Sequence, residues 1–507
     1  MATDKKLADL VAKTMEKGQK IWDGTSVAVG VIKDGQVTLL DGYGYRNVEE
    51  KLPADGQTLY QIGSCSKAFT AALCAIFVDK GLIDWDTPIR EYDPDIRFYD
   101  DYVSDHVTLR DVLSHRTGVP RHEYSWYGTD FDRQQLVHNI RFLEPNKPFR
   151  TDFQYNNYGY LVAGAVLEKV SGKTYEELLQ EYIFNPLGMK RTNAYLDLLE
   201  GDPDHGQAYD RPGGTALQGI VKGKPYRTPV EDYSKKIGSP FAPAGAINSC
   251  PEDMLKWVQL HLNEGEWEGK QLISKKNMQE LHKPNIPCGA LDIPMPEVDK
   301  AFDSYAMGWK VECYRGVKVL QHGGNINGYS GFTSFIPSLN LGIVAYANLT
   351  MTMEHYAIGR VIMDYYLGAQ EEDWMQRYFD TMAEMASSRK DFYADLRGPK
   401  VEGTHPTFDL SAYTGTFTRP GYGPVKFWLK DGKLIMTFIG SDVPLSHYHY
   451  DTFINDVSYG GDEIKPGLPV KFYTGDNTST IDVVKIPLVM EEGKFIRFDR
   501  VKDRRPK

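Results

Sequence analysis

Ser64 and Lys67 stand three residues apart in Gly63-Ser64-Cys65-Ser66-Lys67, directly after the short extended run Leu59-Tyr60-Gln61-Ile62. Three residues is nearly one helical turn, so both side chains project from neighbouring points on one helix face. A serine hydroxyl is a weak nucleophile until a base lies beside it, and a partly desolvated lysine can act as that base. A serine in the first turn also offers an unpaired backbone N–H at the positive end of the helix, which can form half of an oxyanion hole. The chemistry this allows is acyl transfer through a serine ester. The same spacing recurs at Ser387-Ser388-Arg389-Lys390, inside a charged stretch with no strand before it. That copy reads as a solvated helix surface, and the strand–turn–helix setting selects Ser64.

Two further clusters can complete such a site. Tyr155-Asn156-Asn157 lies on the approach to a helix whose core face carries Leu161, Val162 and Val166. A phenol beside a lysine can shuttle a proton when positive neighbours lower its pKa, and the Asn157 amide can hold the lysine or the substrate. Taken alone, Tyr155 is equally one of 32 tyrosines packed against a core. His322-Gly323-Gly324-Asn325 reads as the end of a strand that begins at Val317, in an edge hairpin with a strand over 329–336. Paired glycines at a strand end let a ligand approach the backbone, and the Asn325 N–H is then a second oxyanion donor. Taken alone, His322 is equally a satisfied surface histidine. Tyr124, Trp126, Tyr127 and Tyr329 either line an apolar acyl site or belong to the core.

The elements that must position these residues follow the same chain order. A helix is predicted over Lys5–Ile21, then two strands joined by Asp34-Gly35, then the Ser64 helix closed by Gly81. From Trp85 to about Lys190 the pattern is helical, with a capping box at Thr174/Glu177; residues 199–246 read as a long insertion or lid. A second capping box is predicted at Ser249/Glu252, opening a helix that carries Trp257, Leu260 and Leu262. Strands return over Met307–Cys313, Val317–Leu320, Ser330–Ile336 and Gly342–Ala347, and helices follow near 354–367 and 370–390. The expectation is an α+β domain over residues 1–395: one antiparallel sheet closed by sequence-distant strands, flanked by helices, with a helical subdomain. Residues 406–507 read as a small all-β barrel, from short strands at Tyr413–Thr418, Val425–Leu429, Lys433–Thr437, Val470–Phe472, Val483–Ile486 and Phe495–Phe498.

Together the three clusters resemble the serine β-lactamase and penicillin-binding-protein family. The likeness is strongest to its class C-like branch, which includes carboxylesterases, D-aminopeptidases and acyltransferases. Ser64-Cys65-Ser66-Lys67 matches the first motif, Tyr155-Asn156-Asn157 the Tyr-x-Asn motif, and His322-Gly323-Gly324 the Lys-Thr-Gly motif. Leu113-Ser114-His115-Arg116-Thr117-Gly118-Val119, Pro243-Ala244-Gly245-Ala246 and Met307-Gly308-Trp309 add to the likeness, which covers about residues 5–368. The tail is similar to a lipocalin-like domain appended to some relatives. The resemblance implies attack by Ser64, proton handling by Lys67 and Tyr155, and an oxyanion hole from the Ser64 and Asn325 amides. Asn157, His322, Gly323 and Gly324 are implied to contact substrate, and the reaction needs no cofactor and no metal.

His322 departs from the family lysine. An unperturbed histidine is mostly neutral above about pH 6.5, so the site should favour uncharged esters or amides over substrates with a free carboxylate. Lowering the pH towards 6 should then restore charge at His322. The substrate class expected is a small-molecule ester or amide, or a short peptide, with hydrolysis or acyl transfer both open. A D-aminopeptidase, peptide amidase or weak β-lactamase is the alternative within this fold. A catalytically inactive binding protein is the alternative outside enzymology.

Composition limits the rest. The net charge of −11 argues against nucleic acid and anionic membrane as partners. No run approaches eighteen apolar residues, so no membrane span is expected. Five scattered cysteines without a Cys-x-x-Cys pair fit reduced thiols in a cytoplasmic compartment, and the N-terminal residues lead into an amphipathic helix rather than a signal core.

Overall fold

The computed structural model describes residues 4–211, 224–228, 240–289, 300–455, 467–475, 480–489 and 493–501. The chain opens with helix α1 (Lys5–Trp22), whose Leu7 N–H is capped by the Asp4 carboxylate. Its apolar positions at spacings of three and four (Leu7, Val11, Met15, Trp22) are buried against the sheet. Strands β1 (Ser26–Lys33) and β2 (Gln36–Asn47) form a hairpin across Asp34-Gly35, both residues having positive φ, as a two-residue hairpin turn requires. A short β3 (Leu52–Pro53) edges β2.

The helices α2 (Lys67–Asp79), α3 (Tyr158–Ser171) and α4 (Pro251–Leu262) follow, with shorter helices between them. The chain then returns to the sheet through β4 (Ile286–Pro287), β5 (Lys300–Tyr305), β6 (Lys310–Tyr314), β7 (Val317–Ile326), β8 (Tyr329–Ile336) and β9 (Leu341–Ala347). Helices α5 (Glu354–Leu367) and α6 (Trp374–Arg397) follow. The strand order is β4-β5-β6-β7-β8-β9-β1-β2-β3, with every pairing antiparallel. Val27 of β1 pairs with Ala347 of β9, so the N-terminal hairpin is completed only by the last strand of the sheet. Side chains alternate across that sheet. Val27, Val29 and Val31 pack with α1, α5 and α6, while Ala28, Ile32 and Val344 pack with α4 and the helical region.

The tail closes into an eight-stranded barrel: β10 (Gly415–Thr418), β11 (Val425–Lys430), β12 (Lys433–Phe438), β13 (Ser441–His449), β14 (Thr452–Asn455), β15 (Pro469–Thr474), β16 (Ile481–Val489) and β17 (Lys494–Arg500). Tyr413, Phe417, Phe427, Phe453 and Phe472 fill its interior with edge-on ring contacts. The α+β sheet with flanking helices and the all-β tail are therefore as the sequence predicts.

Several local expectations are corrected. Ser249 does not cap α4: it lies in a two-residue strand paired with Tyr60, its hydroxyl bonds Thr192, and Cys250 precedes the helix without a side-chain cap. Pro251 at the first helical position starts α4 instead. β7 runs past the glycines to Ile326, and it lies inside the sheet rather than at its edge. β5, β13 and β14 were not predicted. Residues 212–223 and 229–239 of the expected 199–246 insertion lie outside the described residues. Among the described residues no helix is long and apolar enough to cross a membrane.

Candidate active site

Ser64 sits in a single 3₁₀ turn, Gly63–Ser66, that runs directly into α2. Gly63 takes φ +53, and a Cβ there would meet the Asn325 backbone nitrogen at 2.7 Å. The left-handed conformation and the close approach both require glycine. The turn is stitched to residues 243–247: Ile247 N–H donates to Ser66 Oγ at 3.1 Å, and Thr70 Oγ1 donates to the Pro243 carbonyl at 2.6 Å. This stitching brings the neighbouring Ala244 carbonyl over α2.

Lys67 is fully buried, one turn below Ser64. Its Nζ lies 3.0 Å from Ser64 Oγ, 2.7 Å from Asn157 Oδ1 and 2.7 Å from the Ala244 carbonyl. Burial drives its pKa well below the ordinary lysine value; the Arg121 charge lowers it further, and Glu123 opposes both. A neutral amine has two hydrogens and one lone pair. In that neutral form, Asn157 Oδ1 and the Ala244 oxygen accept both hydrogens and the lone pair faces the Ser64 hydroxyl. That geometry can take a proton from Ser64.

Tyr155 is half-buried beside this amine, its ring centroid 4.9 Å from Lys67 Nζ. The Arg121 guanidinium lies 4.7 Å from the same ring, and His115 packs on it at 4.3 Å. The Lys67 amine and the Arg121 guanidinium thus lie on one phenol ring, and the guanidinium is the positive neighbour that proton shuttling by Tyr155 would require. Asn157 immediately precedes α3, and its Nδ2 donates to Glu123 Oε1 at 3.3 Å.

β7 supplies the opposite wall. Beyond Gln321, β7 no longer pairs with β6, and the Ser64 turn packs in the place that strand leaves. Ile326 and Tyr329 close the β7–β8 hairpin across two residues, which makes them a hydrogen-bonded pair. By alternation, Asn325 directs its N–H away from β8 and towards the Ser64 turn. The Ser64 and Asn325 amides are therefore brought to one place. Gly324 faces the same turn, whereas Gly323 faces α5, where a Cβ would collide with the Tyr356 hydroxyl.

His322 is buried, and both ring nitrogens are engaged. A backbone carbonyl only accepts, so Nδ1 carries the hydrogen and donates to the Gly323 oxygen at 2.6 Å, while Nε2 accepts from the Tyr305 hydroxyl at 2.8 Å. Burial, then the Lys67 charge, lowers its pKa to about 3. The expectation that His322 regains charge near pH 6 is thereby corrected: desolvation keeps it neutral throughout the physiological range.

The residues singled out from sequence are brought together, apart from Gly323, which faces α5 rather than the substrate side, and three of the aromatics. Trp126 stacks on Phe241 at 4.1 Å, Tyr329 is buried with its hydroxyl on the Gly206 carbonyl, and Tyr124 turns its ring to Phe438 of the barrel. Only Tyr127 faces the β7–β8 turn, accepting from Asn327 at 2.7 Å. Sequence reasoning missed Arg121, Glu123, Tyr305 and the Ala244 carbonyl as contacts of the site. Motif stretches flank Arg121 and include Ala244, but no spacing marks Tyr305.

Comparison with known proteins adds the following. The family profile described as Beta-lactamase matches residues 9–367, and a domain of unknown function (DUF3471) matches residues 399–487. The chain is similar to the unguisins hydrolase ungD of Aspergillus violaceofuscus (strain CBS 115571), 32% identical over 82% of this chain and 76% of that protein. Among solved structures it is similar to the octameric penicillin-binding protein homologue from Pyrococcus abyssi, at TM-score 0.60 and 21% identity, over 98% of this chain and 99% of that one. It is also similar to the D-amino acid amidase from Ochrobactrum anthropi SV3, at TM-score 0.57 and 21% identity, over 72% of this chain and 98% of that one.

Proposed function

The chain belongs to the beta-lactamase family of serine hydrolases, and on that premise we propose that it cleaves uncharged amide or ester bonds through an acyl-enzyme on Ser64. The observation that carries this reading is the Lys67 amine, desolvated and 3.0 Å from Ser64 Oγ with its other directions occupied by acceptors. Lys67 takes the Ser64 proton as Oγ adds to the substrate carbonyl. The Ser64 and Asn325 amides hold the oxyanion that forms. Tyr155 passes the proton to the leaving group, and water then attacks the ester by the reverse route. Asn157 keeps the amine aimed at Ser64.

The neutral His322 supports a preference for acyl groups without a carboxylate. A charge-assisted hydrogen bond is worth about 1.5–3 kcal/mol, roughly ten- to a hundredfold in binding, and a neutral imidazole with its N–H already used cannot supply it. The similar proteins named as a hydrolase and an amidase support amides as the first substrate class to try. Free thiols at Cys65, Cys74, Cys250 and Cys313 support a reducing, cytoplasmic setting.

The test has two parts. Intact-mass and peptide spectra after a fluorophosphonate should show one adduct, on Ser64. A panel of chromogenic esters, D-amino acid amides and a cephalosporin should rank the cephalosporin last in kcat/KM at pH 8. No adduct on Ser64 ends the proposal, and a cephalosporin ranked first ends the preference for uncharged substrates.

A further inference from the structure

The barrel meets the catalytic lobe at several places, residues 121–129, Glu144 and the end of α6 among them, and the 121–129 segment also carries two charges that act on Lys67. His122 lies between those charges. His122 Nε2–H donates to the Glu144 carbonyl at 3.0 Å, which leaves Nδ1 to accept from the Tyr422 hydroxyl at 2.6 Å. The Glu144 carboxylate in turn receives Arg419 at 2.9 Å and Lys494 at 2.7 Å, both from the tail. On either side of His122 stand Arg121, over the Tyr155 ring, and Glu123, on the Asn157 amide. His122 has φ +45, so its backbone alone would not favour this conformation. Burial keeps its ring neutral, with the pKa lowered to about 4.

A second observation lies a few residues on. Ile439, at the tip of the β12–β13 hairpin, holds φ +46, and its carbonyl oxygen and Cβ lie where a Cβ on Gly128 would meet them at 2.9 and 3.0 Å. A two-residue hairpin turn normally carries Asn, Asp or Gly at such a position, and a β-branched residue there is strained. Ile439 is partly buried against the main core, so the strained residue is also the one that makes the contact.

We propose that the barrel is a positioning part of the active site, acting through Tyr422–His122 and Ile439–Gly128 to fix residues 121–123 against Tyr155 and Asn157. The proposal rests on the Ser64–Lys67 reading above. Burial does most to lower the Lys67 pKa, and the two charges the barrel positions adjust that: Arg121 lowers it further and Glu123 raises it. Loosening the segment therefore changes the chemical step before it changes substrate binding.

Ile439→Asn separates this role from a structural one, because asparagine relieves the turn while removing the apolar contact. The full chain carrying Ile439→Asn should keep or raise its Tm, yet react with a small neutral fluorophosphonate about tenfold more slowly. For a small chromogenic ester, kcat should fall with KM within twofold. Tyr422→Phe, which leaves the buried His122 Nδ1 without its donor and so lowers Tm, should slow both reactions in the same way. Combined with Glu123→Gln, it should add nothing to the loss caused by Glu123→Gln alone. If Tyr422→Phe does not fold, His122→Asn, which tolerates the same backbone, takes its place. Wild-type reaction rates in Ile439→Asn, or losses that multiply in the Glu123→Gln background, overturn the proposal while leaving the Ser64 assignment standing. A wild-type protein that does not label on Ser64 removes both.

Discussion

Gly324 lies so close to the nucleophile turn that a methyl group on it would stand 1.9 Å from the Ile62 carbonyl oxygen and 3.0 Å from the Ser64 nitrogen. Neither neighbour is a flexible side-chain end, so the turn itself would have to move. Gly324→Ala should leave the chain folded and lower kcat by about 10²-fold, the cost of misplacing a reacting group by about 1 Å. Steady-state kinetics beside a thermal melt check it. Wild-type kcat in a folded Gly324→Ala protein would show that the turn does not need this approach.

Ser64→Ala should abolish turnover with no loss of fold, because it removes the covalent route; comparable losses are about 10⁶-fold. Lys67→Ala and Tyr155→Phe should each remove most activity, and the double variant should be little worse than either single one. Groups that act as a unit are non-additive in this way. Costs that multiply would assign the two residues separate tasks.

Activity should rise with pH as Lys67 loses its proton, and burial places that rise well below the ordinary lysine range. The groups around the amine include His115 and His322, both held neutral by burial, so the charges left to tune it are Arg121 and Glu123. Removing a cation raises the pKa of a nearby amine, and removing an anion lowers it. Arg121→Gln should therefore move the acidic limb of kcat/KM to higher pH, and Glu123→Gln to lower pH. Limbs that shift in the same direction would place the governing ionisation elsewhere.

Four further histidines make an acid-sensitive interior. Burial lowers His122 to about 4 and His282 and His355 to about 3, and it holds His261 well below its ordinary value. The unfolded chain takes up these protons near pH 6.5 and the folded chain refuses them. Stability is therefore full above about 6.5 and falls as the pH drops towards 4. His355 is the cleanest probe, since neither ring nitrogen has a hydrogen-bond partner among the described residues. In urea titrations, the stability lost between pH 7 and pH 5 should be about 2 kcal/mol smaller in His355→Leu than in wild type. An unchanged loss would place the acid sensitivity on other groups.

The sequence made the catalytic cluster legible for a physical reason. Ser64 and Lys67 are coupled by helix geometry, and Tyr155 and His322 by motifs whose residue types are unusual together. The sheet was legible from Val27, Val29 and Val31, because alternation survives wherever one face is buried. What stayed hidden depends on long-range pairing. β5 and β14 carry little alternation of their own and are strands because their neighbours are, and Pro251, not Ser249, starts α4. Arg121 and Tyr305 reach the site from loop and strand positions that no local pattern distinguishes. The neutrality of His322 follows from its ordinary pKa, but its persistence below pH 6 comes from surroundings assembled out of other segments.

The antiparallel pairing of Val27 with Ala347 has a consequence for how the chain is made. On the ribosome the β1–β2 hairpin emerges early, with one apolar edge waiting for a partner that the template has not yet reached. At about 5–20 residues per second, β9 follows roughly 15–60 s later. Throughout that interval β1 is an open strand edge, the kind of surface that recruits neighbouring chains. Helix α1, already synthesised, is the element in reach that can shield one side of it, through Leu7, Val11 and Met15. Shortening that helix should thus show first as aggregation during synthesis, before any loss appears in the finished enzyme.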